Sequence, residues 1–291
     1  MHFVQAKGIL SAENRMNLYR GCTHGCIYCD SRSSCYHMDH DFQDVEVKEN
    51  ALILLENTLK RKHKKCMIGM GSMSDPYLPI EMELQYTRRA LELIGKYGFG
   101  CGVLTKSANV LRDLDLFTKI HSQTKCVVQM TLTTYDDKLC RILEPHVSET
   151  SKRADALKKL WDAGIPTLVW LGPILPFIND TEENLLGVLD LCYEAGVAGI
   201  VNFGMGVTLR EGNRDYFYAK LDEHFPGVKE RYISAYGSSY VVNSFQAPAL
   251  QSLFQTYCRE HDIESDVNTL FDHMSRFEEK GKQKQMSVFD F

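Results

Sequence analysis

The sequence has no apolar run of about 18 residues or more, so it offers no candidate membrane-spanning helix. Its N-terminus, MHFVQAKGIL, lacks the apolar stretch of a secretory leader, which leaves a reducing cytoplasm as the expected compartment. Positive charge is not in excess. At a net charge of −5 the chain as a whole is no electrostatic binder of nucleic acid, and any such binding needs a local basic patch. No internal repeat of the solenoid kind is present. A second C-x2-C pair is also missing, which removes the four matched ligands of a structural zinc site. What remains is 291 residues, 44% hydrophobic and 24% charged, which suits one large soluble α/β domain. In such a chain the ten cysteines are expected as thiols rather than disulfides.

Three of those thiols are crowded together. Cys22, Cys26 and Cys29 are spaced C-x3-C-x2-C in GCTHGCIYC. Three thiolates this close can hold three irons of a [4Fe–4S] cluster and leave the fourth open to a small molecule. Gly21 and Gly25 allow the backbone to wrap closely around a bulky inorganic core, and Tyr28 can shield it. The alternatives are three free thiols in a loop, or a zinc site.

Beyond the loop a regular beat sets in. MNLYRG (16–21) alternates like a first strand, and 47–62 has leucines at helical spacing. Strand-like apolar runs at 65–71, 101–107, 125–134, 165–176 and 197–206 then alternate with helical stretches at 81–98, 109–123 (Asn109 as cap), 151–164 (Ser151 as cap) and 180–196 (Asp180 as cap). Buried strands alternating with helices predict a parallel sheet, here a partial (β/α)6 barrel. The core is expected over 1–206. A C-terminal helical extension follows over 207–280, with helices near 212–225, 247–260 and 266–280 and a loop or short extended piece at 232–246. Residues 281–291 form a tail.

In such sheets the chemistry sits at the C-terminal ends of the strands. That places Ser72, Ser74 and Asp75 after the second strand, Lys106 after the third, Thr131 and Thr133 at the fourth, and Pro173 to Pro176 after the fifth. Small residues admit a ligand, a carboxylate takes an ammonium, a lysine suits a carboxylate, and hydroxyls suit a ribose. Cys66, Cys101 and Cys126 fall at strand starts, away from this end, and read as small buried hydrophobes. Cys192 and Cys258 read the same way on helices, and Cys35 as a loop thiol.

Taken in order, GCTHGCIYC, GSMSDPY (71–77), LTKS (104–107), the stretch from Leu132 to Pro166 and PILPFIND (173–180) resemble the radical S-adenosylmethionine (SAM) superfamily, in its spore photoproduct lyase-like branch. The resemblance spans about residues 15–205. It implies a [4Fe–4S] cluster on Cys22, Cys26 and Cys29, with SAM on the open iron. Reductive cleavage to a 5′-deoxyadenosyl radical would follow, with flavodoxin or ferredoxin as the kind of reductant. It implies Ser72 and Ser74 near the methionyl group, Lys106 near its carboxylate, Thr131 or Thr133 near the ribose, and Arg153 near the cofactor. The lyase itself returns hydrogen from a cysteine after its second strand. GSMSDPY has none, so that activity is not expected here. Cys140 and Tyr135 are candidate substitutes. A nucleic-acid substrate is the first expectation. Modification of a peptide or small metabolite is the alternative, and a non-catalytic iron–sulfur protein is a second.

The tail adds a clue. Gln285 to Phe289 read QMSVF, similar to the short peptides by which bacterial DNA repair and replication proteins bind the sliding clamp. If DNA is involved, KRKHKK (60–65) and Arg88–Arg89 are candidate backbone contacts.

Overall fold

The apolar strands pair in chain order. In the computed structural model, which describes residues 1–280, a six-stranded sheet runs β1 (Arg15–Met16), β2 (Met67–Met70), β3 (Gly100–Thr105), β4 (Cys126–Leu132), β5 (Thr167–Leu171) and β6 (Gly199–Val201). Every ladder in it is parallel. A strand's side chains alternate between faces. On β4, Cys126, Val128 and Met130 pack into the helix layer outside, and Val127 into a cluster with Met67, Leu168 and Val201 on the inner face. The outer helices present leucines at helical spacing, such as Leu52, Leu55 and Leu59 of Ala51–Arg61. This is the parallel, helix-covered sheet expected from the sequence. Cys101 and Cys126 are fully buried, Cys66 half-buried.

Several local expectations are corrected. Residues 16–21 are not one strand. Arg15–Met16 pairs with β2, while Tyr19–Arg20 pairs antiparallel with Glu46–Lys48 in a small second sheet whose other edge is His2–Val4. Asn17 makes the break: its carbonyl accepts from Lys48 Nζ (2.8 Å) and its side chain from the Met73 amide (3.2 Å). The expected helix 81–98 is a four-residue turn, Glu81–Leu84, then Tyr86–Lys96, with Gln85 left-handed between them. Buried Glu81 holds this break, accepting from the Thr87 amide (3.0 Å), from Arg112 (2.8 Å) and from Tyr19. Two caps move by one or two residues. Ser107 replaces Asn109, and Thr181 replaces Asp180, whose carboxylate takes the Phe177 amide and Ser244 instead. Ser151 lies inside Thr150–Asp162 and bonds to Asp137. A further helix, Asp137–Leu143, follows β4.

The C-terminal region packs on this frame. Leu250, Phe254 and Cys258 of Ala247–Glu260 share a core with Leu185, Val188 and Cys192 of Glu182–Glu194. Within residues 232–246 the expected short extended piece is present, but the stretch opens on a helix. These residues end the helix Val228–Tyr236 and supply a strand, Val241–Asn243, antiparallel to Gly206–Thr208. Val267–Ser275 tucks Leu270 and Phe271 against the inner face. No helix among the described residues is long and apolar enough to cross a membrane. Gln285–Phe289 lies outside the described residues.

Candidate active site

The cysteine loop leaves the small sheet at Gly21 and is pinned on two sides. The Cys22 amide donates to the Phe42 carbonyl (2.9 Å), that of Ile27 to Leu143 (2.9 Å) and that of His146 to His24 (3.1 Å). Gly25 has φ +73°, and a Cβ there would stand 3.1 Å from the Pro145 ring. The loop therefore requires glycine both for its backbone angle and for its close approach to Pro145. Cys26 is buried, while Cys22 and Cys29 are partly open.

The donor set fits a cluster better than a single ion. Thiolates around one tetrahedral zinc sit ~3.8 Å apart, from a bond of ~2.3 Å. Among the described residues, only His2, His40 and Glu46 bring three ligand atoms within 4.8 Å of one another. The three cysteine sulfurs do not all lie within that distance of one another, which a polynuclear core accommodates and one tetrahedral ion does not. Burial, then the charge of Asp75, pushes the Cys22 thiol up to about 12, opposed by the backbone amides of His24 and Asp75. Burial also raises Cys26, opposed first by the Lys106 ammonium. Ligation must displace those protons, and the amides and Lys106 favour the thiolate that results.

Asp75 joins the loop to the sheet. It is buried, and its carboxylate accepts from Tyr77 N (2.8 Å), Thr105 Oγ1 (2.6 Å) and Lys106 N (2.7 Å), with His24 Nε2 3.1 Å away. Burial would raise its pKa, but His24 and these donors hold it below the usual carboxylate range. Asp75 is thus committed to protein partners and does not await a ligand ammonium. Ser74 likewise donates to the Gly21 carbonyl (2.6 Å), tying the exit of β2 to the cysteine loop. Ser72 is exposed beside it.

Beneath the loop lies a buried charge network that the sequence reading missed. Tyr28 donates to Glu144, which pairs with Arg153. Arg153 also bonds the Thr131 carbonyl (2.6 Å) and Cys140 Sγ (3.0 Å). Glu144 and Arg153 are both sealed from solvent. Burial would push Glu144 up, but Arg153 and then Lys106 hold it low. The reading of Arg153 as a cofactor contact is therefore corrected: its guanidinium is spent on Glu144. Thr133 is spent as well, bonding Tyr28 and the Gly172 carbonyl (both 3.1 Å). Thr131, beside it, keeps its hydroxyl without a protein partner among the described residues.

The two candidate hydrogen donors are not brought to the loop's open side. Cys140 is buried behind Glu144 and Arg153. Tyr135 turns outward, packs on Gly187 and donates to Glu183 (2.6 Å). The basic run 60–65 ends the helix Ala51–Arg61 and leads into the start of β2, so it sits at the sheet end opposite the cysteines. Arg88 is paired with Asp113 and Asp115.

Lys106 stands apart from these committed groups. It follows β3, is half-buried, and holds its ammonium 5.7 Å from the Tyr28 ring centre. It has no hydrogen bond or ion pair to its side chain among the described residues. Burial works against its charge, but Cys26, Glu144 and Cys29 outweigh that and raise its pKa. An ammonium kept charged beside the cysteines, with only an aromatic face against it among the described residues, is a ready site for a carboxylate.

The model of the radical SAM superfamily matches residues 16–192. An uncharacterized protein of Methanocaldococcus jannaschii is 39% identical over 176 residues, which is 60% of this chain and 65% of that protein. An uncharacterized protein of Mycobacterium tuberculosis is 29% identical over 227 residues, 76% of this chain and 66% of that one. The chain thus matches just under two thirds of the length of these curated relatives. Among solved structures, a spore photoproduct lyase variant superposes with a TM-score of 0.66 at 14% identity, covering 91% of this chain and 80% of that one. A lyase variant bound to AdoMet and dinucleoside spore photoproduct gives 0.64 at 15%, with the same coverage. SuiB of Streptococcus suis, bound to its precursor peptide, gives 0.50 at 11%, covering 87% and 48%. At these identities the likeness is one of fold.

Proposed function

The chain belongs to the radical SAM superfamily, which uses a [4Fe–4S] cluster and S-adenosylmethionine, and from that premise we propose that it is an enzyme that cleaves SAM reductively to act on nucleic acid. The observation that carries the SAM reading is Lys106, an ammonium over the Tyr28 ring near the charge of Cys26, with no salt bridge or hydrogen bond to its side chain among the described residues. When bound, cluster and SAM supply a carbon radical able to abstract hydrogen from an unactivated C–H bond. The residues of the chain do the rest. Cys22, Cys26 and Cys29 hold the cluster. Lys106 takes the methionyl carboxylate, and Thr131 offers its hydroxyl to the ribose. Asp75 and Ser74 fix the distance between loop and sheet, and Tyr28 with Glu144 closes the floor.

The nucleic-acid part rests on the inner face. Trp170 of β5 is held by Gln129 (2.8 Å) and lies 5.7 Å, centre to centre, from Phe203, which follows β6 and is 70% exposed. Arg15 of β1 is exposed and lies along Gly69, with no salt bridge among the described residues. A half-buried Trp170 beside exposed Phe203, with a solvent-facing Arg15, suits stacked bases and phosphate. The lyase structures bound to a dinucleoside and the QMSVF tail, similar to clamp-binding peptides, support the same reading.

The test is anaerobic reconstitution, followed by dithionite and SAM, with and without single-stranded DNA. 5′-Deoxyadenosine is the expected product, and DNA is expected to increase its yield. No product from a protein with an intact cluster overturns the enzyme reading. Product that DNA leaves unchanged overturns the substrate class alone.

A further inference from the structure

We propose that the small sheet carries a second metal site, for one divalent transition ion such as zinc, built from His2, His40 and Glu46. The register of the sheet assembles it. His2 lies directly opposite Glu46 in a parallel pair, so their side chains share a face. The loop that follows the cysteines then returns His40 over them, its ring 4.9 Å from that of His2 and edge-on at 82°. One ligand atom from each residue falls within 4.8 Å of the other two.

The histidine rings are oriented by carboxylates, although Asp44 also pairs with the N-terminal ammonium (2.8 Å). Each imidazole has one nitrogen on a carboxylate: His2 Nδ1 is 3.0 Å from Asp44, and His40 Nδ1 3.0 Å from Asp39. Metal-binding histidines are commonly held in this way, since the carboxylate fixes the tautomer and makes the other nitrogen a better donor. The other nitrogen of His40, Nε2, is buried and has no partner, although buried polar atoms are normally satisfied. Glu46 is approached by Arg20, 3.7 Å from Oε2, while Oε1 is 3.9 Å from His40 Nδ1. Arg20 is otherwise anchored to the carbonyls of Tyr36 and His37. Two imidazoles and a carboxylate select a borderline ion of the zinc or cobalt kind over magnesium or calcium. Such an ion would clamp three segments: the strand His2–Val4, the strand Glu46–Lys48, and the loop whose Phe42 carbonyl receives the Cys22 amide. It would thereby brace the entry to the cysteine loop.

The experiment uses the full chain with its iron–sulfur cluster loaded, so that the cysteines are occupied. It is titrated anaerobically with Zn2+ against a chelating indicator, and separately with Co2+. One equivalent of Zn2+ is expected to bind, with a Co2+ spectrum of nitrogen and oxygen ligation that lacks thiolate charge transfer. His40→Ala and Glu46→Gln are expected to lose that equivalent. Asp44→Asn is expected to weaken it by ~10- to 100-fold. Thermal melting with and without Zn2+ is expected to show a metal-dependent rise in the parent that His40→Ala abolishes. Thiolate charge transfer, or Zn2+ binding unchanged in both His40→Ala and Glu46→Gln, overturns the site. Because these readouts are stoichiometry, spectrum and melting, they are independent of SAM cleavage.

Discussion

At the scale of single residues, the site divides into groups that are spent and groups that are free. Asp75, Ser74, Thr133 and Arg153 are all bound to other parts of the protein, whereas Lys106 is not. Replacing Lys106 with Ala is therefore expected to weaken SAM binding without unfolding the protein. A charged hydrogen bond is worth ~1.5–3 kcal/mol, or about 10- to 100-fold in affinity, and equilibrium dialysis on the cluster-loaded protein would measure it. Unchanged affinity would remove Lys106 from the cofactor site. Glu144 behaves differently. Its folded pKa is held below its ordinary value of 4.5 by Arg153 and Lys106 against the effect of burial. The stability it contributes is present above that ordinary value, and is lost as pH falls through the lower folded value. Glu144→Gln is expected to flatten this acid limb in urea midpoints taken from neutral pH downward. It should also cost ~3–5 kcal/mol at neutral pH, because Arg153 is left buried and uncompensated. A parallel acid limb in the variant would show that Glu144 does not carry it.

At the scale of elements, the exit from β2 is the tightest passage. Gly71 has φ +99°, and a Cβ there would collide with the Leu104 carbonyl of β3. Gly71→Ala is expected to destabilise the protein by more than ~1 kcal/mol. It should also displace Ser74 and Asp75 from the cysteine loop, lowering cluster occupancy, as iron analysis would show. A variant with full stability and full iron would mean that the two strands part easily. The order of strands and helices was legible in the sequence because buried parallel strands and amphipathic helices leave opposite periodicities. The cysteine loop was legible from spacing alone. What hid was whatever depends on distant partners. Residues 16–21 alternate correctly for a strand, and only Asn17 bonding to Lys48 and Met73 divides them between two sheets. Residues 232–246, rich in Tyr and Ser, read as a loop or short extended piece; the strand at 241–243 was within that reading, while the helix end at 232–236 is fixed by the burial of Tyr232. Glu144 sits next to Pro145 in a stretch recognised as characteristic, but its role needs Arg153, Tyr28 and burial, none of which is local.

At the scale of the whole molecule, the cysteine loop and the exposed aromatic face occupy different parts of one sheet. The cysteine loop, Asp75 and Lys106 belong to the first three strands, whereas Trp170 and Phe203 belong to the last two. If the nucleic-acid reading holds, deleting 285–291 is expected to abolish retention on an immobilised sliding clamp while leaving thermal stability and SAM cleavage intact. A deletion that lowers stability and leaves retention unchanged would assign the tail to its own domain. The two edge strands of the sheet do not pair with each other. β1 is two residues long, and among the described residues no ladder joins it to β6. The segment at Glu264 engages the start of β6, bridging Gly199 and accepting from the Ile200 amide (2.9 Å), at the end away from the cysteines. A closed ring would admit a long polymer only by threading one of its ends. A ring with a gap can be entered sideways, at any point along an uninterrupted strand, and left without cutting it.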